Sequence, residues 1–192
     1  MKFSLLIGSL LFSSYVLAAP AVCTYEYEAK GTTVGWTAYK TPKKVGVKVK
    51  FPDFKITASK APTVSQMLAA ATFTINPSKI DSGDKARDAK IYQFFFKSMM
   101  NNKKISGKVI RSTEQEVEME LEMNGQKKNV VMTSKVDEAA GTVTLNGAID
   151  VLDFLMKDNL ASITKACYEK HEGVTWPNVD LELVAMMKKS CK

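Results

Sequence analysis

An antiparallel β-barrel of about eight strands, all-β dominated and carrying two or three short helices, is the fold this sequence predicts. Two observations predict it. Apolar and polar residues alternate one by one along much of the chain, most plainly where Val117, Met119, Leu121 and Met123 interleave with Glu116, Glu118, Glu120 and Glu122. Turn signals separate these runs: Asn124-Gly125 reads as a two-residue hairpin, and Glu138 to Gly141 as a slightly longer connection. Period two marks strands with one buried face and does not choose between a closed barrel and a two-sheet sandwich. The barrel is favoured because eight antiparallel strands close without a free edge, around an interior wide enough for side chains or one small ligand.

In chain order, the first segment stands outside the fold. Lys2 precedes an apolar run, Phe3 to Leu17, that ends in small residues, with Val16 and Ala18 placed for a cut after Ala18. Residues 1–18 are therefore expected to be a signal peptide, and 19–192 one exported, soluble domain. Nothing downstream is apolar for long enough to span a bilayer, and the residues before Cys23 lack a lipoprotein pattern. Strands are expected at 23–39, with an irregularity around Lys30 to Thr32, and at 44–55, 71–77, 104–112, 116–123, 128–136, 142–150 and 178–188. Alternation carries Val45, Val47, Val49 and Phe51; Val143, Leu145, Gly147 and Ile149; and Val179, Leu181, Leu183 and Ala185.

Three stretches have helical spacing instead. Thr63 to Ala71 spaces Val64, Met67, Leu68 and Ala71 after Pro62. Lys85 to Met100 puts Ile91, Phe94, Phe95 and Met99 on one face, after the cap candidates Asp81, Ser82 and Asp84. About Leu152 to Cys167, Leu152, Leu155, Leu160, Ile163 and Cys167 recur at three to five residues, and Gly173 and Pro177 break the chain before the last strand.

Composition narrows the chemistry. With 192 residues, 45% apolar and 24% charged, the chain has ordinary globular composition. Three Cys and one His are poor material for a disulfide scaffold, a zinc site or a His-based triad. No Gly-x-Ser-x-Gly elbow is present, and a nucleophilic Ser would have no evident base, so an enzyme is not expected. The 27 basic residues exceed the 20 acidic ones only modestly and are spread along the chain, which reads as a solvated surface, with anionic membrane headgroups or cell-wall polymer as the alternative, and not as nucleic-acid binding.

The stretch Thr74-Ile75-Asn76-Pro77-Ser78-Lys79-Ile80-Asp81-Ser82-Gly83-Asp84-Lys85-Ala86-Arg87-Asp88-Ala89-Lys90-Ile91 resembles the YceI-like family, whose members follow a strand with a small-residue turn and a helix opening on an Arg-Asp pair. Four more stretches fit in order: Val34 to Lys40, Met123 to Lys127, Ile149 to Phe154 and Val179 to Leu183. The resemblance covers most of residues 23 to 188 and implies a lipocalin-like barrel in the bacterial periplasm. Such a barrel holds a polyisoprenoid, an isoprenoid quinone or a fatty amide in its lumen, without covalent chemistry and without a cofactor beyond that lipid. The chain departs from the family pattern in carrying Lys90 where a His is common, and a helix, 152–167, where simpler members have a loop.

A lipid carrier needs a dry apolar channel, which inward strand faces can supply. The lining candidates are Tyr27, Trp36, Val47, Val49, Phe73, Met119, Leu121, Met132 and Leu145, with Ile91, Phe94 and Phe95 from the second helix. Ten Met suit an adaptable apolar wall and equally suit core gaps. His171, beside Glu169, Lys170 and Glu172, reads as a solvated turn rather than a metal ligand; Glu116 to Glu122 read as wet exterior; Arg87 and Asp88 read as a helix-start ion pair or cap rather than headgroup contacts.

Export favours a disulfide. In a closed barrel the start of the first strand lies beside the end of the last, which favours Cys23 with Cys191 and leaves Cys23 with Cys167, Cys167 with Cys191, or no bond as alternatives. The other functional reading is a ligand-free barrel that engages an envelope or membrane redox partner. Oligomeric state, a homodimer included, is left open.

Overall fold

Among the described residues, 22–100 and 104–192, the computed structural model forms nine strands in one curled sheet; the expected signal peptide lies outside them. The strands are β1 (Cys23–Lys40), β2 (Val45–Lys50), β3 (Phe54–Thr57), β4 (Thr72–Ile75), β5 (Ile105–Ser112), β6 (Glu116–Met123), β7 (Gln126–Asp137), β8 (Thr142–Asp150) and β9 (Thr175–Cys191). Their order is β2-β1-β9-β8-β7-β6-β5-β4-β3, with every neighbouring pair antiparallel.

The count exceeds the expected eight because the segment 44–55 is two strands. Pro52 has no N–H to give a ladder, and the corner at 51–53 sends β2 to pair with β1 and β3 to pair with β4. This corner joins the two ends of the sheet. Closure, expected as a continuous ladder, is made piecewise, by the corner and by a bridge in which Tyr25 and Ala61 exchange both backbone hydrogen bonds, at 2.7 and 3.0 Å.

Alternation sorts the side chains as the pleat requires. On β6, Val117, Met119, Leu121 and Met123 are buried, while the intervening glutamates face out toward Lys108, Arg111 and Lys127 on the flanking strands, with N–O separations of 3.2 to 4.0 Å. Between β6 and β7, Asn124 and Gly125 both adopt positive φ, 51° and 76°, the geometry of a two-residue hairpin. The Asn124 side chain is buried: it accepts from the Met100 N–H at 2.8 Å and donates to the Phe154 carbonyl at 2.9 Å, tying the hairpin to two other segments.

On β1, Gly31 at φ 85° sits in a register shift between Glu28 and Thr33, where the Thr32 hydroxyl donates to the Glu28 carbonyl at 2.7 Å and accepts from the Met186 N–H at 2.9 Å. The strand bends there and so serves both ends of the lumen. Its first residue, Cys23, is disulfide-bonded to Cys191, its register partner across β1 and β9, with a Cα–Cα distance of 4.0 Å; Cys167 is a free thiol.

The helices are shorter than their periodicity predicts. The first, α1, covers Val64–Leu68, with Thr63 capping the Gln66 N–H. Helix α2 (Lys85–Ile91) is capped by Asp84 and passes at Tyr92–Phe96 into a π-helical turn, marked by the Lys97 N–H donating to the Tyr92 carbonyl at 2.8 Å. The extra residue in the turn rotates the phenylalanine run about the helix axis: Phe95 and Phe96 are buried, and Phe94 is only half-buried. The third expected helix is split. Val151–Phe154 is a 3-10 turn that ends at Leu155, left-handed at φ 54°, before α3 (Lys157–Ala166) and the short α4 (Tyr168–His171). Asn159 of α3 is buried and donates to the Phe95 carbonyl at 2.7 Å and to the Ser98 hydroxyl at 2.9 Å, which fastens α3 to the π turn.

Candidate functional site

The lumen is divided in two by an aromatic partition. Trp36, at the middle of β1 between Val49 of β2 and Leu181 of β9, is stacked on Phe96 with ring centroids 4.9 Å apart and meets Phe51 and Phe95 at 5.4 and 5.8 Å. Phe96 lies in the π turn, so a break in helical period supplies the ring that stacks on Trp36. The buried Trp36 indole N–H has no hydrogen-bond partner among the described residues.

Beneath Trp36 lies an inner cavity of about 110 Å³. Tyr27, Trp36, Phe73, Met119, Leu121, Met132 and Leu145, all expected to line the lumen, are on its wall. Their inward direction follows from the strand pleat alone. Gly107 makes room for one of them: a Cβ there would stand 2.5 Å from the Phe73 ring and 2.4 Å from the Glu120 carbonyl oxygen. The Tyr27 hydroxyl is buried without a hydrogen-bond partner among the described residues.

Above Trp36 lies an outer cavity of about 230 Å³. Its floor holds Trp36, Val47, Val49, Ile91 and Phe95, again expected lining residues, together with Ile163 of α3 and Val179 of β9. Phe94 is on neither wall, which corrects its expected place; the α-helical period that puts it inward is broken at Tyr92.

The rim of the outer cavity carries Lys40, Arg87, Lys90, Lys170 and His171, with Asp84 the one carboxylate there among the described residues. His171 is half-buried, its Nδ1 2.7 Å from the Thr175 hydroxyl, so it is part of the wall and not a solvated turn. Burial, and after it the nearby Lys40 charge, push the imidazole below its ordinary pKa, leaving it neutral at pH 7. Asp84 is held as a carboxylate, below the usual range, chiefly by the Arg87 backbone N–H and further by that of Ala86.

Arg87 and Asp88 do not cap the helix; Asp84 does. Both instead grip Ser82. Arg87 donates from Nε to the Ser82 hydroxyl at 2.8 Å and from Nη2 to its carbonyl at 2.6 Å, while Asp88, itself buried, accepts from the Ser82 N–H at 2.8 Å and hydroxyl at 2.6 Å. This clamp fixes the turn before α2 and holds the Arg87 guanidinium at the rim. The rim as a set is not legible in sequence, because β1, α2 and α4 meet only in three dimensions.

Among the described residues, no group of three or more His, Cys, Asp or Glu could hold a metal ion, and no helix is long and apolar enough to cross a membrane. The model of the YceI-like domain matches residues 25–185. No curated protein matches the chain. Among solved structures, the chain is similar to a polyisoprenoid binding domain from Saccharophagus degradans implicated in plant cell wall breakdown, at 10% identity and TM-score 0.60, covering 88% of this chain and 98% of that one. It is similar also to BcnA of Burkholderia cenocepacia, at 15% identity, TM-score 0.62 and 85% and 99% coverage, and to the YCEI protein of Campylobacter jejuni, at 18%, 0.55 and 77% and 86%.

Proposed function

The chain belongs to the YceI-like family, and from that premise we propose that it is a periplasmic carrier that holds a long apolar lipid in its lumen without covalent chemistry. The observation that carries this reading is the inner cavity, whose wall is almost wholly apolar and is assembled from the inward faces of most of the strands. Covering an alkyl or prenyl tail there contributes about 25 cal/mol for each Å² removed from water. The resemblance in fold to a polyisoprenoid binding domain supports a prenyl lipid, and a quinone or fatty amide would use the same walls.

Volume adds a condition. At about 230 and 110 Å³, each cavity is smaller than the roughly 300–1,000 Å³ usual for small-molecule sites, so a long-chain ligand must occupy both and Trp36 must turn aside. Native mass spectrometry of the protein purified from its own host, followed by organic extraction, tests the proposal. One long-chain molecule per chain is expected. Consistently empty protein that also takes up no quinone or prenyl lipid from detergent would overturn it, in favour of a ligand-free barrel that engages an envelope partner.

A further inference from the structure

We propose that the lipid held here carries an anionic head, a phosphate or a carboxylate, seated among Lys40, Arg87, Lys90 and Lys170 at the rim of the outer cavity. This rests on the lipid-carrier reading and specifies its ligand. Four cations from three elements, β1, α2 and α4, converge on one cavity, and none of the four makes an ion pair among the described residues. On the outer face of the sheet Lys108, Arg111 and Lys127 each have one or two glutamates within 4.0 Å, while the exposed Lys55, Lys135 and Lys188 make no ion pair among the described residues, so it is the convergence of four cations on one cavity that sets the rim apart. Glu169 and Glu172, though adjacent in sequence to Lys170 and His171, are not on the cavity wall.

Asp84 offsets only part of the rim charge: the Arg87 and Lys170 charges help hold it as a carboxylate, and its one charge stands against four. Arg87 is held there by Ser82, whose hydroxyl in turn donates to Asp88, so the buried Asp88 carboxylate offsets part of its charge and Lys40, Lys90 and Lys170 supply the excess at the rim. Directly below the cations the wall turns apolar, at Val47, Val49, Phe95, Ile163 and Val179. Charge at the opening and hydrocarbon below it match an amphiphile entering tail first, with the head stopping where the lysines are.

The test uses the delipidated full chain and two matched pairs, farnesyl phosphate with farnesol and palmitate with palmitamide, titrated by calorimetry at low and high salt. Several partly exposed ion pairs together should favour each anion over its neutral partner by about tenfold at low salt, with the factor shrinking in roughly 1 M NaCl. Joint Lys90→Gln and Lys170→Gln substitution should remove most of the factor, and Arg at both positions should restore it. A gain confined to one pair identifies the head as phosphate or carboxylate. Equal binding within both pairs, or a factor that survives the double Gln variant, overturns the proposal while leaving the lipid reading intact. Inorganic phosphate displacing farnesyl phosphate at equal concentration overturns it in favour of a free-anion site. Binding of no member of either pair overturns both.

Discussion

The inner and outer cavities share Trp36 and little else. The inner one is walled by strands, each presenting every second residue, and Glu182 is the only charged residue on its wall among the described residues. The outer one is walled by one end of β1 and β2, the start of β9, and helices laid over them, and it carries four cations, a carboxylate and a histidine. Local alternation therefore encodes a place for hydrocarbon, whereas a place for charge arises where distant segments meet. The two also differ in how they are held. Strand walls are laddered to neighbours on both sides except at β2 and β3, the ends of the order, while the polar ties of the helical wall are few, the Asp84 cap, the Ser82 clamp and the Asn159 bond to the Phe95 carbonyl.

The largest effect should come from the inner end, where the disulfide lies. Reduction of Cys23–Cys191 releases a loop of sequence separation 168, for which chain entropy alone predicts a loss of about 5 kcal/mol. Urea unfolding with and without reductant measures it. A loss below about 1 kcal/mol would show that the β1–β9 ladder and the Tyr25–Ala61 bridge already secure that end.

Removing the partition comes next. Trp36→Ala should destabilise by about 3–5 kcal/mol and join the cavities, so that the variant takes up longer chains than the wild type. Uptake across a series of prenyl alcohols of increasing length reads this out, and an unchanged length preference would break the idea that Trp36 divides one path.

Leu121→Trp sharpens the same comparison from below. If ligand occupies the inner cavity, the indole takes its space: lipid uptake falls, and unfolding of the delipidated variant changes by less than about 1 kcal/mol. If the region is closed core, overpacking costs about 1–3 kcal/mol while the folded fraction still takes up lipid.

The smallest effect belongs to the outer wall. His171 has a folded pKa below its unfolded value, so the unfolded chain binds the extra proton first as pH falls. Its stability contribution is complete above the unfolded pKa and is lost as pH falls through the folded one. His171→Asn should flatten that acidic limb of the stability profile, measured by thermal unfolding at stepped pH; an identical limb in the variant would place its origin elsewhere.

How much is legible in the sequence differs between the cavities for the same reason. Met119 and Leu121 can be aimed inward because Glu118, Glu120 and Glu122 have to face water, and both residues stand on the inner wall. Strand ends are legible to within a few residues, except at Phe51-Pro52-Asp53, where alternation runs on across a corner that the proline alone signals. Phe94 is misplaced by its spacing because a π turn leaves no periodic trace when three phenylalanines run together. His171 takes a misleading reading from its charged neighbours in sequence, whereas its neighbour in space is Thr175, reached by a left-handed turn at Glu172 and Gly173.

The pairing of β1 with β9 also sets the order in which the molecule can be assembled. The mouth half of β1 has a local partner, since Lys40 faces Val45 across a short turn, but Cys23 to Glu28 face Met186 to Cys191 at the far end of the chain. Loop closure over that distance precedes any reward from the contacts it permits, so this ladder belongs to the slow part of folding. Hairpins β5–β6, β6–β7 and β7–β8 can form early from neighbours, while the first residues of the fold wait for the last ones to be made. Until then the inward face of early β1, Tyr25 and Tyr27, stays uncovered. Folding finishes at the end opposite the charged rim, and the disulfide seals the step that comes last.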